Sequence, residues 1–319
     1  MELIKKILNK LNGLHYSQEY LCFAKDSFQH PLHVYLVKDK HVIKDITNLH
    51  LFVGYNPLVF AFDADLKLTP SLQLIYSQHA LQLNETFSAK DAIATMELQL
   101  IKDQPMQNVL FYEGTHGSYR FLSGFHQFIN NIYNRRYNKK PGNVFLHDNL
   151  YKQVQIAYAL PRNISLITVG NNGLFNLFPT DLHGQLDEQH YIISLRIGGK
   201  AAEQVVNAGR LLISQVHSEA YKVVYGLGKN HMQELKEAAN FPFNSDLSEQ
   251  FKLPLPLHAI AYRELELENS FNHGIHKIML FKIVSSRQLS VEMNVLSHIH
   301  NSYATWRYKN GLAGNYLLR

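Results

Sequence analysis

Residues Gly170 to Gly184 read GNNGLFNLFPTDLHG, and they separate two segments that we predict to be β-strands, Asn163 to Val169 and His190 to Ile197. The Asn171-Asn172-Gly173 triplet is typical of a tight turn. Either this stretch is an ordinary hairpin connection, or it holds a ligand.

The part of the stretch that follows the turn is more apolar than a solvated loop requires. Pro179 cannot take a place in a central sheet ladder. We therefore expect the strand to leave its sheet at Pro179 and to present Asn176 and Thr180 on a wall with an apolar face and a polar rim. Such a wall suits a flat heteroaromatic ligand.

The composition indicates a compact globular protein. The chain has 319 residues, of which 46% are hydrophobic and 18% charged, and this length favours two domains. A basic segment with Pro141-Gly142 at 138–148 marks the predicted boundary, so we expect an N-terminal α+β domain at 1–145 and a second domain at 146–319.

The single cysteine, Cys22, excludes an internal disulfide framework and favours a reducing cytoplasm. No segment is apolar over the ~20 residues that span a bilayer. The first residues, MELIKKILNKLNGLHY, predict an amphipathic helix, which either contacts a membrane surface or packs against its own domain. Packing is the more common outcome for such a stripe.

The net charge of +5 raises the question of nucleic-acid binding. The main basic cluster is Arg135-Arg136-Tyr137-Asn138-Lys139-Lys140, beside Tyr133. Basic residues also favour the last turn of a helix, and Pro141-Gly142 would end that helix. We therefore favour a solvated helix end over a nucleic-acid site.

The sequence of the first half of the chain predicts short strands and two helices. The strands are expected at His33–Val37, His41–Ile43, Leu49–Val53, Leu58–Phe62 and Asn108–Tyr112, and the helices at Lys90–Gln99, with Ser88 as a cap, and Gly124–Tyr137.

The second half is mainly β. Strands are predicted at Gln153–Ala159, Ile164–Val169, Tyr191–Ile197, Leu211–Val216, Leu257–Glu266 and Ile275–Ser285, with helices at Lys200–Ala208 and Asn230–Ala239. Many strands with few helices favour a closed or partly closed β-barrel.

Two glycine-containing segments could hold a phosphate. Gly198-Gly199 follows a predicted strand, and Lys200 opens a helix, so backbone N–H groups, the helix start and a lysine would meet an anion together. Gly226 to His231, GLGKNH, also leads into a predicted helix, although it lacks the order of a P-loop. Strand, glycine turn and helix also occur as plain connections.

The histidines give weaker signals. His298 and His300 would share one face of a strand, and His273 and His276 flank a predicted turn. No third ligand is fixed by spacing, so we expect hydrogen-bonded or surface histidines and no metal site. No G-x-S-x-G motif supports a hydrolase.

The order of these features resembles the flavin reductase-like family of FMN-binding split barrels. The resemblance covers roughly the last half of the chain and is carried by ISLITVG, LFNLFPT, YIISLR, GGKAAEQVVNAGRLLISQV, GLGKNH, FKLPLPLHAIAYRELELE, HKIMLFKIVS and HIHNSYATWRYKNG.

This resemblance implies a C-terminal split β-barrel of the FMN-binding type within a protein that is mainly β with α+β character. It also implies hydride transfer from NAD(P)H to flavin in a homodimer. The residues that would hold the flavin are Asn176, Leu177, Phe178, Pro179, Thr180, Arg196, Gly198, Gly199, Lys200, Gly228, Lys229 and His231.

A second hypothesis remains open, in which the fold has lost flavin and serves as a non-enzymatic binding or scaffold module. Family members often carry Ser or Thr soon after the basic residue of the phosphate turn, whereas this chain continues with Ala201-Ala202. The additional N-terminal domain also keeps this hypothesis open.

Overall fold

A computed structural model describes residues 2–48, 51–63, 69–88, 90–102, 106, 109–137, 144–291, 293–312 and 316–318. Antiparallel sheets dominate these residues, which confirms the prediction of a mainly β protein with α+β character. No helix among them is both long enough and apolar enough to cross a membrane.

The helices and strands are numbered in chain order. The helices are α1 (Glu2–Leu11), α2 (Gly124–Tyr137), α3 (Asp148–Ala157), α4 (Lys200–Ala208), α5 (Tyr221–Gly226) and α6 (Asn301–Lys309). The strands of the first half are β1 (Tyr20–Ala24), β2 (His33–Lys38), β3 (His41–Asp45), β4 (Leu51–Tyr55), β5 (Leu58–Asp63), β6 (Ser71–Ser77), β7 (Ala92–Leu100) and β8 (Val109–Tyr119). The remaining strands are β9 (Arg162–Asn163), β10 (Ser165–Asn171), β11 (Leu174–Thr180), β12 (His183–Gln185), β13 (His190–Arg196), β14 (Arg210–Val216), β15 (Phe243–Leu247), β16 (Pro254–Pro256), β17 (Ala259–His273), β18 (His276–Gln288), β19 (Leu296–His300) and β20 (Tyr316–Leu318).

The chain forms two compact units. The first contains Met1–Leu21, Gln29–Leu160 and Ile299–Gly314, and the second contains Cys22–Phe28, Pro161–His298 and Asn315–Arg319. The predicted division into 1–145 and 146–319 differs from these units, because each unit also draws on short segments from elsewhere in the chain. Whether 1–145 and 146–319 fold as independent domains stays a prediction.

A seven-stranded antiparallel sheet forms the centre of the first unit, in the order β3-β2-β6-β7-β8-β5-β4. Helix α3 packs against β8, where a Cβ atom on Gly114 would lie 2.5 Å from Oε1 of Gln153. Asn149 of α3 also accepts a hydrogen bond from the backbone N–H of Gly117 at 2.6 Å and donates one to its carbonyl at 2.8 Å. Glycines on β8 therefore allow the helix to approach the sheet closely.

Two predictions in this unit are wrong. Lys90–Gln99 was expected to be a helix, but Ala92–Leu100 is the strand β7, held between β6 and β8. Cross-strand pairing and burial overrode the helix propensity of its Ala, Met and Glu residues. Gln153–Ala159 was expected to be a strand, but most of it belongs to helix α3. Residues 153–160 are all buried, and a buried helix reads as an apolar run.

Helices α1 and α2 confirm their predictions. The basic cluster begins in the last turn of α2 with Arg135, as expected for a helix end. Lys139 and Lys140 lie outside the described residues.

The second unit contains a seven-stranded antiparallel sheet with the order β11-β10-β14-β17-β18-β13-β12. Phe178 of β11 and Tyr191 of β13 come from strands near opposite ends of this order, yet they belong to one buried core with Val205 of α4. The strands between them also contribute to this core, so one face of the sheet and α4 enclose a single buried core.

A buried carboxylate fastens the segment before β16 to this sheet. Glu264 of β17 is fully buried and accepts hydrogen bonds from the backbone N–H groups of Gln250, at 3.0 and 3.1 Å, and Phe251, at 2.6 Å. The hydroxyl of Ser285 on the paired strand donates at 2.5 Å. These bonds compensate the carboxylate for the water it loses on burial.

Candidate functional site

The apolar part of the opening stretch is strand β11 at one edge of the sheet. Pro179 lies opposite Leu166, and Thr180 lies opposite Ser165. The expectation that the chain leaves the sheet at Pro179 is therefore wrong. A proline is tolerated because β11 is an edge strand, where one side of the backbone has no partner strand.

Asn176 is fully buried, and its side chain joins three elements. Its Nδ2 donates to Oε1 of Gln204 on α4 at 2.8 Å and to the carbonyl of Asn230 at 3.0 Å. Its Oδ1 accepts from the backbone N–H of Leu177 at 2.8 Å. Asn176 therefore positions β11 against α4 and the segment around Asn230.

The free edge of β11 is covered by residues 230–236. Phe175 exchanges backbone hydrogen bonds with Lys236 at 2.7 and 2.8 Å. The Leu177 carbonyl accepts from Nδ2 of Asn230 at 2.8 Å, and the Pro179 carbonyl accepts from Nε2 of His231 at 2.7 Å. The backbone groups of these alternate residues thus have protein partners.

The helix predicted at Asn230–Ala239 is not formed. Gly226 ends helix α5, and Gly228, Lys229 and His231 lie in a 3₁₀ helix, Leu227–Met232, with a second short one at Ala238–Asn240. The side-chain bond from Asn230 to β11 and the bridge at Lys236 draw this segment along the edge strand. Consequently the GLGKNH segment does not open a helix as predicted.

The turn Gly198-Gly199-Lys200 has the predicted form. Gly198 has φ of +86°, a conformation that favours glycine, and Gly199 is the N-cap of α4. As a glycine, this N-cap residue has no side chain of its own to cap the helix start. A Cβ atom on Gly199 would lie 3.3 Å from the carbonyl oxygen of His231. The glycine turn and the 3₁₀ helix are therefore neighbours.

Lys200 forms an exposed ion pair. Its Nζ lies 2.8 Å from Oε1 of Glu234, and this hydrogen bond raises the pKa of Lys200. Ala201 and Ala202 are buried in the core that contains Val205. Their methyl groups pack the helix against the sheet, so the groups at this turn that could bind an anion are backbone N–H groups and Lys200.

Arg196 ends strand β13 beside this turn and lies opposite His276 of β18. Burial first and the charge of Arg196 second lower the pKa of His276 to about 4, while the charge of Asp181 opposes the shift. His276 is therefore neutral at pH 7. Burial likewise lowers the pKa of His231, whose Nε2 carries the proton because its partner is a carbonyl.

The sequence prediction missed Asp181, which directly follows Thr180. Its Oδ2 accepts from Nε2 of His298 at 2.8 Å, and Nδ1 of His298 lies 3.1 Å from the hydroxyl of Tyr225. The thiol of Cys22 donates to the same hydroxyl at 2.9 Å. This chain of four side chains ties the end of β11 to the buried interior of the unit.

His298 and His300 lie on strand β19 as predicted, and both are buried. Within the described residues, no group of three or more His, Cys, Asp or Glu side chains is arranged to hold a metal ion.

The predicted site residues therefore fall into two sets. The three predicted segments meet at one place, but the side chains of Asn176, Leu177 and Phe178 are buried there in protein contacts. Thr180 and Gly199 are buried as well, so the expectation that Thr180 is presented on a polar rim is wrong. The other predicted residues are exposed or partly exposed at the end of β11, the end of β13, the glycine turn or the 3₁₀ helix: Pro179, Arg196, Gly198, Lys200, Gly228, Lys229 and His231. Asp181 and Glu234 are additions that the sequence pattern did not single out.

No protein-family model matches this sequence, and no curated protein matches it. Among solved structures, an FMN-binding protein from Thermus thermophilus with bound 1-cyclohex-2-enone is 18% identical with a TM-score of 0.35, over 40% of this chain and 71% of that one. The NADH:FAD oxidoreductase SgcE6 of Streptomyces globisporus C-1027 is 12% identical with a TM-score of 0.42, over 51% and 96%. The flavin reductase PheA2 is 13% identical with a TM-score of 0.40, over 54% and 98%.

Proposed function

We propose that the second unit binds FMN and that the Gly198-Gly199-Lys200 turn holds its phosphate. The observation that carries this proposal is the start of α4, which has two glycines before it, so that its N-cap residue has no side chain to cap the helix. The first N–H groups of a helix have no partner within it and attract anions. Gly198 is exposed, and a Cβ atom on it would meet nothing within 4 Å, so a phosphate can approach the backbone there.

Two cations lie at this turn, together with the carboxylate of Glu203 in the first turn of α4. Lys200 and Arg196 are exposed at the two ends of the turn. The ion pair between Lys200 and Glu234 is solvent-exposed on both sides, so exchanging Glu234 for a phosphate costs little. The backbone groups and these two cations provide an anion site without the hydroxyl that the family often has.

The ring of the flavin would lie toward the end of β11. Pro179, Thr180 and His231 form its expected boundary, with Gly228 and Lys229 beside them, while Asn176, Leu177 and Phe178 hold the strand in place from behind. His231 is neutral at pH 7, and its Nε2–H donates a hydrogen bond to the Pro179 carbonyl. It therefore adds no charge at this boundary.

The proposed activity is hydride transfer from NAD(P)H to the bound flavin. The flavin ring supplies the redox chemistry when it is bound. The protein residues bind the phosphate, orient the ring and exclude water, and no side-chain nucleophile is required. A homodimer in the cytoplasm belongs to the same proposal, and its oligomeric state is checked by sedimentation equilibrium of the purified full chain.

A second candidate function is a non-enzymatic binding module of the same fold. The coverage of the β11 edge by Asn230, His231 and Lys236 favours it, because backbone groups that could contact a flavin ring already bind protein. The two candidates differ in whether the protein binds flavin and whether NAD(P)H then reduces that flavin.

Replacing Lys200 tests the phosphate site. We expect Lys200→Glu to weaken FMN binding at least about tenfold, roughly 1.4 kcal/mol, because a cation beside the phosphate becomes an anion. Riboflavin, which lacks the phosphate, should bind the variant and the wild type alike. The measurement is quenching of flavin fluorescence, with Lys282→Glu, an exposed lysine on β18, as the matched control.

Glu234→Gln provides the opposite change, since it releases Lys200 from its ion pair, and it should strengthen FMN binding. Equal effects of Lys200→Glu on FMN and riboflavin would contradict the placement of the phosphate. If FMN binds but NAD(P)H fails to bleach its visible absorption anaerobically, the hydride-transfer part of the proposal is wrong. If no flavin binds, the whole proposal is wrong and the non-enzymatic candidate is favoured.

A further inference from the structure

Helix α2 of the first unit exposes an apolar stripe. Phe125 and Phe128 are 68% and 63% exposed, and Ile132 is also exposed. The spacing of these residues places them on one side of the helix, whereas Asn130 and Asn134 on the other side are buried. Three large apolar side chains on one exposed helix face are more than scattered surface residues require.

Helix α1 adds to the same surface. Ile7 and Leu11 are 54% and 60% exposed, so these two apolar side chains are not covered by their own unit. The end of α1 contacts α2, because the Asn12 carbonyl accepts a hydrogen bond from Asn130 and a Cβ on Gly13 would lie 2.4 Å from the ring of His126. We call Ile7, Leu11, Phe125, Phe128 and Ile132 the apolar face.

The apolar face has a positive border. Lys10 is exposed at the end of α1, and Nζ of Lys309 on α6 lies 3.4 Å from the Gly13 carbonyl. Arg135 is exposed in the last turn of α2. In the sequences of α1, α2 and α6 the single acidic residue is Glu2. Apolar and aromatic side chains with a basic border are typical of helices that lie in the interface of an anionic bilayer.

We propose that the apolar face binds the surface of an anionic lipid membrane. The phenylalanines enter the boundary between headgroups and acyl chains, and the lysines meet the negatively charged headgroups. A second copy of the chain is the weaker candidate for this face, because a symmetric contact would bring the two positive borders together. The proposal is independent of flavin binding in the second unit.

Cosedimentation of the full-length protein with lipid vesicles tests this proposal. We expect the protein to sediment with vesicles that contain phosphatidylserine and to remain in solution with pure phosphatidylcholine. The double variant Phe125→Ser/Phe128→Ser should lower the partition coefficient at least about tenfold. Lys10→Gln and Lys309→Gln should each lower it about fivefold, and high salt should do the same.

Leu83→Ser is the matched control, since Leu83 is an exposed apolar residue of the first unit outside the apolar face. It should bind vesicles like the wild type, and circular dichroism should show all variants folded. Three results would overturn the proposal: no binding by the wild type, equal binding to neutral vesicles, or a dimer in solution that the phenylalanine variant dissociates.

Discussion

Asn176 shows how one side chain can organise a site without facing its ligand. Its amide makes three hydrogen bonds that join β11, α4 and the segment around Asn230, and two of them are fully buried. We therefore assign Asn176 a positioning role at the predicted flavin site, since it holds β11 against α4 and the segment around Asn230.

Asn176→Ala should lower the free energy of unfolding by about 2–4 kcal/mol, because it leaves buried donors and acceptors without partners. The measurement is equilibrium urea denaturation. Asn240→Ala, in an exposed 3₁₀ helix, is the control and should change stability by less than about 0.5 kcal/mol. A similarly small effect at Asn176 would contradict its central place in the network.

His276 should make stability depend on pH. Its pKa falls from the ordinary 6.5 to about 4 through burial first and the Arg196 charge second. The unfolded chain therefore takes up the proton more readily, so stability is complete above pH 6.5 and is lost as the pH falls toward 4. From pH 7 to pH 5 this single group should lower the free energy of unfolding by about 2 kcal/mol. His276→Gln should remove that part of the pH dependence in urea denaturation, and an unchanged slope would contradict the assignment.

Among the elements, the segment fastened by Glu264 makes the clearest prediction. Burial raises the pKa of this carboxyl, but the hydrogen bonds from Phe251, Ser248, Ser285 and Gln250 together lower it below its ordinary value. Its stabilising effect is therefore present above pH 4.5 and is lost as the pH falls through the lowered pKa.

Glu264→Gln should destabilise the protein by about 2–3 kcal/mol at pH 7, since it removes charge-assisted bonds to backbone N–H groups. Hydrogen exchange should rise first at the amides of Gln250 and Phe251. Glu266→Gln on the same strand is the control, because Glu266 is exposed. Uniform exchange across the second unit would show that Glu264 does not fasten this segment in particular.

Elements that carry a clear period or cap could be predicted from the sequence. Strands β10, β13 and β14 and helices α1, α2 and α4 were found because their apolar spacing or glycine boundaries are local. Strand β7 and helix α3 were not predicted, because their structure depends on contacts with other parts of the chain. Strand β7 is held between β6 and β8. The second half of α3 is buried on all sides, so its sequence lacks the polar face of a surface helix. The course of residues 230–236 depends on the edge of β11 and is likewise invisible in local sequence.

The same distinction holds for the candidate site. The glycine turn was predicted correctly because a strand, two glycines and a helix start are adjacent in sequence. The ion pair between Lys200 and Glu234 joins residues 34 positions apart, and the hydrogen bond between His298 and Asp181 joins residues 117 positions apart. No local sequence pattern predicts either contact.

At the scale of the whole molecule, the two units are proposed to bind two different ligands. The second unit is proposed to bind FMN at the start of α4, and the first unit is proposed to bind anionic lipid through the apolar face. The two proposals rest on different residues, so variants of Lys200 should leave vesicle binding unchanged, and Phe125→Ser/Phe128→Ser should leave flavin binding unchanged.

The most direct test of the central claim is phosphorus NMR of FMN mixed with the full-length protein. If the Gly198-Gly199-Lys200 turn holds the phosphate, the phosphorus resonance should shift or broaden with the wild type and with Lys282→Glu. It should return toward that of free FMN with Lys200→Glu. A resonance that is unchanged by the wild type, or changed equally by the wild type and Lys200→Glu, would contradict the account.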